Sequence, residues 1–541
     1  MAKASPALNA FNAGEWSPLL DGRQDLSKYP IALKQMRNFF PKIQGPAMRR
    51  PGTRYVETVK DSSKAVRLLP FEFSVEQAYI IEAGEGYFRF YRNNGRIEEG
   101  GNPVEIASSY GEEHLSDLRF VQSADVLYLF HPDFMPQKLS RTSHVDWSLD
   151  PLNPQDGPYL PTNTTNTTIT PSATSGTITL AASSTTGING NTGFQSSDAG
   201  RLIRIKSGSN WGWAIIQAYT STTQVSATVR SALSGTSATT QWRLGLWSDT
   251  TGYPALGTFY EDRLAMGGVR DYPQRLDLSR TGDYENFAPT DPNGTVVSDH
   301  ALAFTLNANN VNAIRWLLDD EKALMIGTVG GEWPLRPSNL NEALDAANPP
   351  QAKRSTSYGS ADVTPVKAGN GILFVQRAGR KVMEQAYSFE DDGFRSGDLT
   401  ELAEHITAGG IIELAYQKEP DSIVWALRRD GTLLGMTYRR EQEVVGWHQH
   451  VLGGRSDANG TQAIVESIAV IPAADGSRDE LWMVVRRQIV GAFSMIAAMT
   501  ANKTDDKIVD YILKGINFLG FNFGTAKNDP NVGVTRTAGE G

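Results

Sequence analysis

FYEDRLAMGG at residues 259–268 opens the stretch that decides the fold, and ALMIGT at 323–328 with GGEWP at 330–334 closes it. Between them lie RLDLSR at 275–280 and IRWL at 314–317. Apolar runs of four to six residues, bounded by Gly, Pro and Asp, are typical of β-strands and too short for helices. Taken alone, this stretch predicts two units of about four strands each.

The same pattern recurs along most of the chain. Apolar strands begin near seven positions, namely Tyr79, Val126, Arg263, Ala323, Ile372, Ile423 and Leu481. The steps between them are 47, 137, 60, 49, 51 and 58 residues, and removing an insertion at 162–245 shortens the outlying step to 53. Asp430-Gly431 after an apolar run is a strong hairpin signal. A period of ~40–50 residues with about four strands per unit predicts an all-β protein, a β-propeller of six or seven blades.

Composition divides the chain into five regions. We expect an irregular N-terminal arm at 1–60, the first blades at 61–161, an inserted domain at 162–245, the remaining blades at 246–499 and a tail at 500–541. Between Thr162 and Thr240, 32 of 79 residues are Ser or Thr, and the alternating stretches there predict a small β-sandwich. One short helix is expected at 31–38, and 508–513 fits a helix or a strand.

The overall composition excludes several classes of protein. The chain has 541 residues, 40% hydrophobic and 21% charged, which is typical of a folded protein. Its net charge of −9 gives no reason to expect tight nucleic-acid binding. The absence of cysteine excludes disulfides and thiolate chemistry. No stretch resembles a signal peptide or reaches the ~18 apolar residues of a membrane span, so we expect synthesis in the cytoplasm and no membrane span.

Few residues are candidates for chemistry. His448 and His450 would share one face of a strand, but no third ligand stands at metal spacing, so packing of the two rings is the favoured interpretation over a zinc site. Two acidic runs, 319–321 and 390–392, could serve a glycosidase but are expected in exposed turns. Arg49 and Arg50 offer a basic contact, although an arm lying over a neighbour or its own domain is favoured. We therefore predict no catalytic, cofactor or metal residues.

Several strings together resemble the tail nozzle proteins of short-tailed bacteriophages, also called tail tubular protein B. Up to residue 287 they are GEWSP at 14–18, GRQD at 22–25, RRPG at 49–52, the 259–268 string, QRL at 274–276 and GDYENF at 282–287. In the C-terminal half they are residues 326–333, SYGS at 357–360, Arg377 with GRKV at 379–382, and YQKEPDSI at 416–423. The resemblance covers about residues 10–490, and 502–541 lie outside it.

This resemblance implies a β-propeller subunit of a phage virion tail, in a hexameric tube below the tail adaptor protein. Double-stranded DNA would pass through the lumen without specific binding during genome ejection, and tail fibres are further possible partners. It implies a structural protein and no enzyme. A receptor- or glycan-binding propeller, with the Ser/Thr-rich insertion as the recognition module, is the alternative. A propeller glycosidase or lyase is the least favoured, because the acids fall in turns.

Overall fold

The computed structural model describes residues 9–307, 312–337, 343–457 and 459–487. The chain forms two compact units, one of residues 1–450 with 465–484 and the other of 451–464 with 485–541. In the described residues, regular structure consists of β-strands and short 3-10 helices. The 3-10 helices are Pro18–Leu20, Tyr29–Ile31, Glu112–His114, Asn189–Asn191, Ser196–Asp198 and Arg440–Gln442.

In the first unit, six sheets are each built on four antiparallel strands that follow one another in chain order. We number them blades 1 to 6 and name their strands first to fourth in chain order. Blade 1 comprises Arg67–Ser74, Gln77–Gly84, Tyr87–Arg92 and Glu105–Ala107. Blade 2 comprises Arg119–Ser123, Val126–His131, Phe134–Arg141 and Trp147–Pro151. Blade 3 comprises Leu256–Tyr260, Arg263–Val269, Tyr272–Leu278 and Leu302–Thr305. Blade 4 comprises Ile314–Asp320, Ala323–Thr328, Gly331–Arg336 and Gln351–Ala352. Blade 5 comprises Val366–Ala368, Gly371–Val375, Val382–Ser388 and Gly393–Asp398. Blade 6 comprises Ile411–Gln417, Ile423–Arg428, Leu433–Arg439 and Val444–His450. Short strands Gly95–Arg96, Glu98–Glu99 and Asn102–Pro103 decorate blade 1.

A further antiparallel pair, Ile464–Pro472 and Asp479–Arg486, follows blade 6, and we call it blade 7. All seven strand positions that the sequence repeat identifies fall in the second strands of blades 1 to 7. In blades 1 to 6 the second strand lies between two neighbours of its own sheet and is almost wholly buried. Burial on both faces and both edges requires a continuous apolar run, which is why this strand carries the visible repeat.

Apolar clusters join each blade to the next. Successive clusters pack blade 1 on blade 2, 2 on 3, 3 on 4, 4 on 5 and 5 on 6. A further cluster packs Leu68 and Ile80 of blade 1 against Ala469 and Ile471 of blade 7. Hydrogen bonds from Ser467 and Ile468 to Glu413 join blade 7 to blade 6. The blades therefore close into a ring, and the predicted propeller is confirmed.

The N-terminal arm extends the sheet of blade 6. Gly14–Glu15 pairs in parallel with the fourth strand at Trp447 and with Ala32–Leu33 on its other side. A hairpin of Phe39–Pro41 and Ala47–Arg49 follows. The helix expected at 31–38 is wrong: a 3-10 turn ends at Ile31, and Arg37 bridges to Gln449. Hydrogen bonding to a sheet edge more than 400 residues away overrides the weak local helical pattern.

The inserted domain is built from one six-stranded sheet rather than from two separate layers. In sheet order its strands are Ile169–Pro171, Thr177–Ala182, Gln224–Ser231, Trp211–Ser221, Leu202–Lys206 and Trp242–Leu244. Ile169 and Thr239 exchange two backbone hydrogen bonds, at 2.9 and 3.1 Å, which join the two edges of the curled sheet. The apolar positions of the alternating strands point into one enclosed core, and the Ser and Thr positions lie outside.

The second unit is described at 451–457, 459–464 and 485–487, where Arg455 bridges to Gln462. The segment expected as a tail, 500–541, and the helix or strand expected at 508–513 lie outside the described residues. No helix in the described residues is long and apolar enough to cross a membrane.

Candidate functional site

A polar clamp lies where the first strands of blades 1, 6 and 7 meet. The Leu68 amide donates to Ser467 Oγ at 3.1 Å, and Ser467 Oγ donates to Glu413 at 3.1 Å. Glu413 Oε2 also accepts from the Ile468 amide at 2.8 Å, and its Oε1 lies 3.5 Å from Arg67 Nε. Burial raises the pKa of Glu413, partly offset by Arg67. This clamp satisfies the buried carboxylate while it closes the ring.

Arg67 also binds the segment of chain that connects blade 1 to blade 2. Its Nη1 donates to the carbonyl oxygens of Leu115, Ser116 and Leu118 at 2.9, 3.1 and 2.5 Å. Burial, with the nearby charge of Arg119, lowers the pKa of Arg67 to about 10, so the guanidinium remains charged at neutral pH. Its role is to cap the backbone carbonyls of this connection.

A second clamp joins blade 2 to the far side of the ring. Arg119 Nη2 donates to Asp362 Oδ1 at 2.6 Å, and Arg315 Nη1 donates to Asp362 Oδ2 at 3.0 Å. Arg119 lies on the first strand of blade 2, Arg315 on that of blade 4, and Asp362 on the connection between blades 4 and 5. One carboxylate thus ties three parts of the ring together.

A cavity of about 390 Å³ lies beside these clamps. First-strand residues Leu68, Phe120, Val366, Ala415 and Ile468 are among those lining it. A cavity of this volume is in the range of small-molecule pockets and cannot admit a nucleic-acid duplex. Two of its charged lining residues, Arg67 and Glu413, already bind each other and the backbone.

The two histidines share one buried face, as the sequence predicts. His448 Nδ1 and His450 Nε2 are 2.7 Å apart, and both rings pack against Trp425. Burial lowers the pKa of His450 to about 3 and that of His448 well below its usual range. Among the described residues no group of three His, Asp or Glu side chains is arranged to hold a metal. The pair fills the core of blade 6.

The two acidic runs differ in their placement. Asp319 and Asp320 are the last residues of the first strand of blade 4, so the expectation of a turn is wrong for these two. Glu321 lies in the turn between the first and second strands of blade 4, and residues 390–392 lie between the third and fourth strands of blade 5. Asp319 lies 3.8 Å from Lys367 Nζ, and Asp391 forms an ion pair with Arg395. Asp392 accepts a hydrogen bond from the Tyr387 hydroxyl at 2.7 Å. These contacts are those of solvent-exposed carboxylates at a strand end and in a turn.

The basic pair of the arm divides between two environments. Arg49 is exposed at the end of the arm hairpin. Arg50 is half-buried and donates to the Pro51 carbonyl at 2.9 Å, and burial lowers its pKa. Neither side chain forms an ion pair in the described part of the chain.

Sequence reasoning missed the residue that anchors the arm. Glu15 is 3% exposed and accepts from the Met36 amide at 2.8 Å and from Gln449 Nε2 at 2.7 Å. His405 Nε2 lies 3.0 Å from the same carboxylate. The available signal was a glutamate between Gly14 and Trp16 in an apolar setting, which indicates a buried acid with partners.

Comparison with known proteins gives no family. No family model matches the sequence, and no curated protein matches it. Among solved structures, the β-propeller domain of Myceliophteria thermophila Cps50 (Swd1) is 8% identical, covers 78% of this chain and 97% of its own, and has a TM-score of 0.33. The computationally designed Ika8 protein is 11% identical over 78% of this chain and 96% of its own, with a TM-score of 0.32. The fold assignment rests on the blades and their packing.

Proposed function

We propose that this protein is a structural subunit of a short-tailed phage virion tail. Six copies would form a ring-shaped conduit below the tail adaptor protein, through which double-stranded DNA leaves during ejection. Synthesis would take place in the host cytoplasm, with tail fibres as possible further partners. No enzymatic role belongs to this proposal.

The observation that carries the proposal is where the family-like strings fall in the fold. GEWSP contains Glu15, the buried anchor of the arm. GDYENF contains Phe287, whose amide donates to the Gln155 carbonyl at 2.9 Å beside the inserted domain. GGEWP contains Glu332, buried and bonded to Ser360 Oγ at 2.9 Å within a second such string, SYGS. Resemblance concentrated on such architectural residues supports a shared architecture with the nozzle proteins.

The cavity beside the clamps is too small for DNA. The proposed conduit would therefore lie between subunits, and the protein would form it by assembling. A ring of identical subunits requires each copy to contact the next through two different surfaces.

Electron microscopy of the purified full-length protein, alone and with the tail adaptor protein, tests this proposal. We expect six-fold rings with a central opening, and antibody labelling of virions at the tail tip. Monomers at all concentrations, absent from virion tails, would overturn it.

The alternative is a glycan-binding propeller module. It is favoured by the outer face of the inserted domain, which presents Ser and Thr side chains with Tyr219 41% exposed. A glycan array probed with the full-length protein distinguishes the two. Specific binding that is lost on Tyr219→Ala would favour the alternative.

A further inference from the structure

Three arginines on adjacent blade turns form no ion pair with any residue that the structure describes. Arg377 and Arg380 lie in the turn between the second and third strands of blade 5, and Arg429 lies in the equivalent turn of blade 6. All three are exposed, and none forms an ion pair or a side-chain hydrogen bond in the described part of the chain. We call these three side chains the arginine surface.

Backbone contacts hold the two turns together. The Ile411 amide donates to the Gly379 carbonyl at 2.8 Å, and the Arg429 amide donates to the Gly410 carbonyl at 2.8 Å. Gly379 and Gly410 both have positive φ, at 77° and 84°. The arginine surface therefore lies on two turns that backbone hydrogen bonds join to the same segment of chain.

The nearby cations differ from these three in having partners. Lys381 Nζ lies 2.8 Å from Asp398, and Arg428 Nη2 lies 2.6 Å from Asp430. The arginine surface thus retains an uncompensated positive charge on a chain whose net charge is −9. Such a local excess is attracted to an anionic surface of a partner.

A complementary surface lies at the other end of the same blade. The third strand of blade 5, Val382–Ser388, runs from the arginine surface to the turn 389–392, about 20 Å away at 3.4 Å per residue. That turn contains Glu390, Asp391 and Asp392, and the side chain of Phe389 in it is 90% exposed. Asp391 also pairs with Arg395, and Asp392 also accepts a hydrogen bond from Tyr387, so these two carboxylates would share their charge with a second partner. We call residues 389–392 the acidic turn. An aromatic ring beside carboxylates can stack on a guanidinium while the carboxylates pair with it.

We propose that the arginine surface binds the acidic turn of a second copy of this chain. Each copy then carries both halves of the contact. Made once between each pair of copies, the contact is head-to-tail and gives a ring when the rotation between copies closes and an open filament when it does not. Made twice between the same two copies it would give a two-fold dimer, which would contradict the proposed ring. This inference rests on the proposed function, for which it supplies the contact between subunits. A second copy is favoured over DNA as the occupant, because the net negative charge of the chain repels phosphates over the rest of the surface.

Charge reversal tests the contact in the full-length protein. The variant Arg377→Glu/Arg380→Glu/Arg429→Glu and the variant Glu390→Lys/Asp391→Lys/Asp392→Lys should each be monomeric by mass photometry where the wild type is oligomeric. Mixing the two should restore oligomers, because each supplies a surface complementary to the other. A matched control, Arg49→Glu/Arg230→Glu/Arg354→Glu, has the same change of charge at other exposed cations and should assemble as the wild type does.

Several results would overturn the proposal. If the wild type assembles and both reversed variants assemble equally well, the contact is wrong while the proposed ring stands. If the wild type never assembles, both the contact and the proposed ring are wrong. If the arginine variant instead loses binding to duplex DNA that the wild type shows at 150 mM salt, the surface is a nucleic-acid site. Should the reversed variants not fold by circular dichroism, Arg377→Ala/Arg380→Ala/Arg429→Ala and Phe389→Ala serve instead, and oligomers as abundant as the wild type's would contradict the contact.

Discussion

Gly435 and His448 face each other across adjacent strands of blade 6. A Cβ at position 435 would lie 2.1 Å from His448 Cε1, and that ring is held by His450 and Trp425. Because the ring cannot move aside, Gly435→Ala should lower the free energy of unfolding by about 1–3 kcal/mol. Gly397→Ala is the matched control, since a Cβ there meets nothing within 4 Å. Adding His448→Ala should recover part of the loss, and chemical denaturation of the three variants measures all of these effects.

The histidine pair makes stability depend on pH. Both pKa values are lowered in the folded state, so both rings stay neutral there while the unfolded chain takes up protons below pH ~6.5. The free energy of unfolding should therefore have its full value above pH ~6.5 with respect to these two groups, and it should decrease as the pH drops toward 3. At pH 5 each histidine contributes a loss of about 2 kcal/mol.

Thermal unfolding at pH 8 and pH 5 measures this effect. His448→Ala/His450→Ala should be less stable than the wild type at pH 8, through lost packing, but should lose less between pH 8 and pH 5. An equal loss in both proteins would show that the acid sensitivity lies elsewhere. Stoichiometric zinc in the purified protein would contradict the packing role.

At the scale of elements, hydrogen bonds and a largely buried ion pair of Arg204 with Asp156 join the inserted domain to the propeller. The Leu160 amide donates to the Leu244 carbonyl at 2.8 Å, so its two ends lie side by side. Arg204 Nη2 donates to the Thr290 carbonyl at 2.8 Å, and the Trp211 amide donates to the Pro292 carbonyl at 2.6 Å. These last two bonds join the domain to the long turn between the third and fourth strands of blade 3.

Deleting residues 162–245 and bridging the ends with a short Gly/Ser loop should therefore leave a protein that still unfolds cooperatively. We expect a melting temperature near that of the parent, reduced by the loss of the bonds at Thr290 and Pro292. Differential scanning calorimetry checks this expectation. Failure to obtain folded protein would mean that the propeller needs the insertion.

The sequence predicts those elements whose conformation depends on residues close to them along the chain. The second strands can be recognised in the sequence because burial on all sides requires continuous apolar runs. Asp430-Gly431 predicts a hairpin, and Gly431 has the positive φ of such a turn, at 80°. The arm could not be predicted, because Glu15 finds its partners at His405 and Gln449. The same holds for the clamp of Arg67 and Glu413, whose residues pair only once the ring closes. Contacts over such separations leave no local pattern.

At the scale of the whole molecule, passage of DNA through the proposed conduit restricts the charge of the surface that faces the DNA. Each Lys or Arg that neutralises a phosphate adds affinity and therefore resists sliding of the DNA. Each subunit has a net charge of −9, and six subunits in a ring multiply that excess, although salt confines its field to ~10 Å. A wall within that distance repels the duplex and lets it pass.

We therefore expect the surface facing the bore to be acidic or neutral. Arg428 already donates to the Ile406 carbonyl at 2.9 Å and pairs with Asp430, and the arginine surface beside it is assigned to the contact between copies. These cations should lie at neighbouring subunits or outside the ring. Retention of linear duplex DNA by the assembled ring should be undetectable at 150 mM salt and should increase when Glu or Asp residues lining the bore are replaced with Lys. A continuous basic lining in the structure of the assembled ring, or salt-sensitive retention of DNA by the wild type, would contradict a sliding conduit.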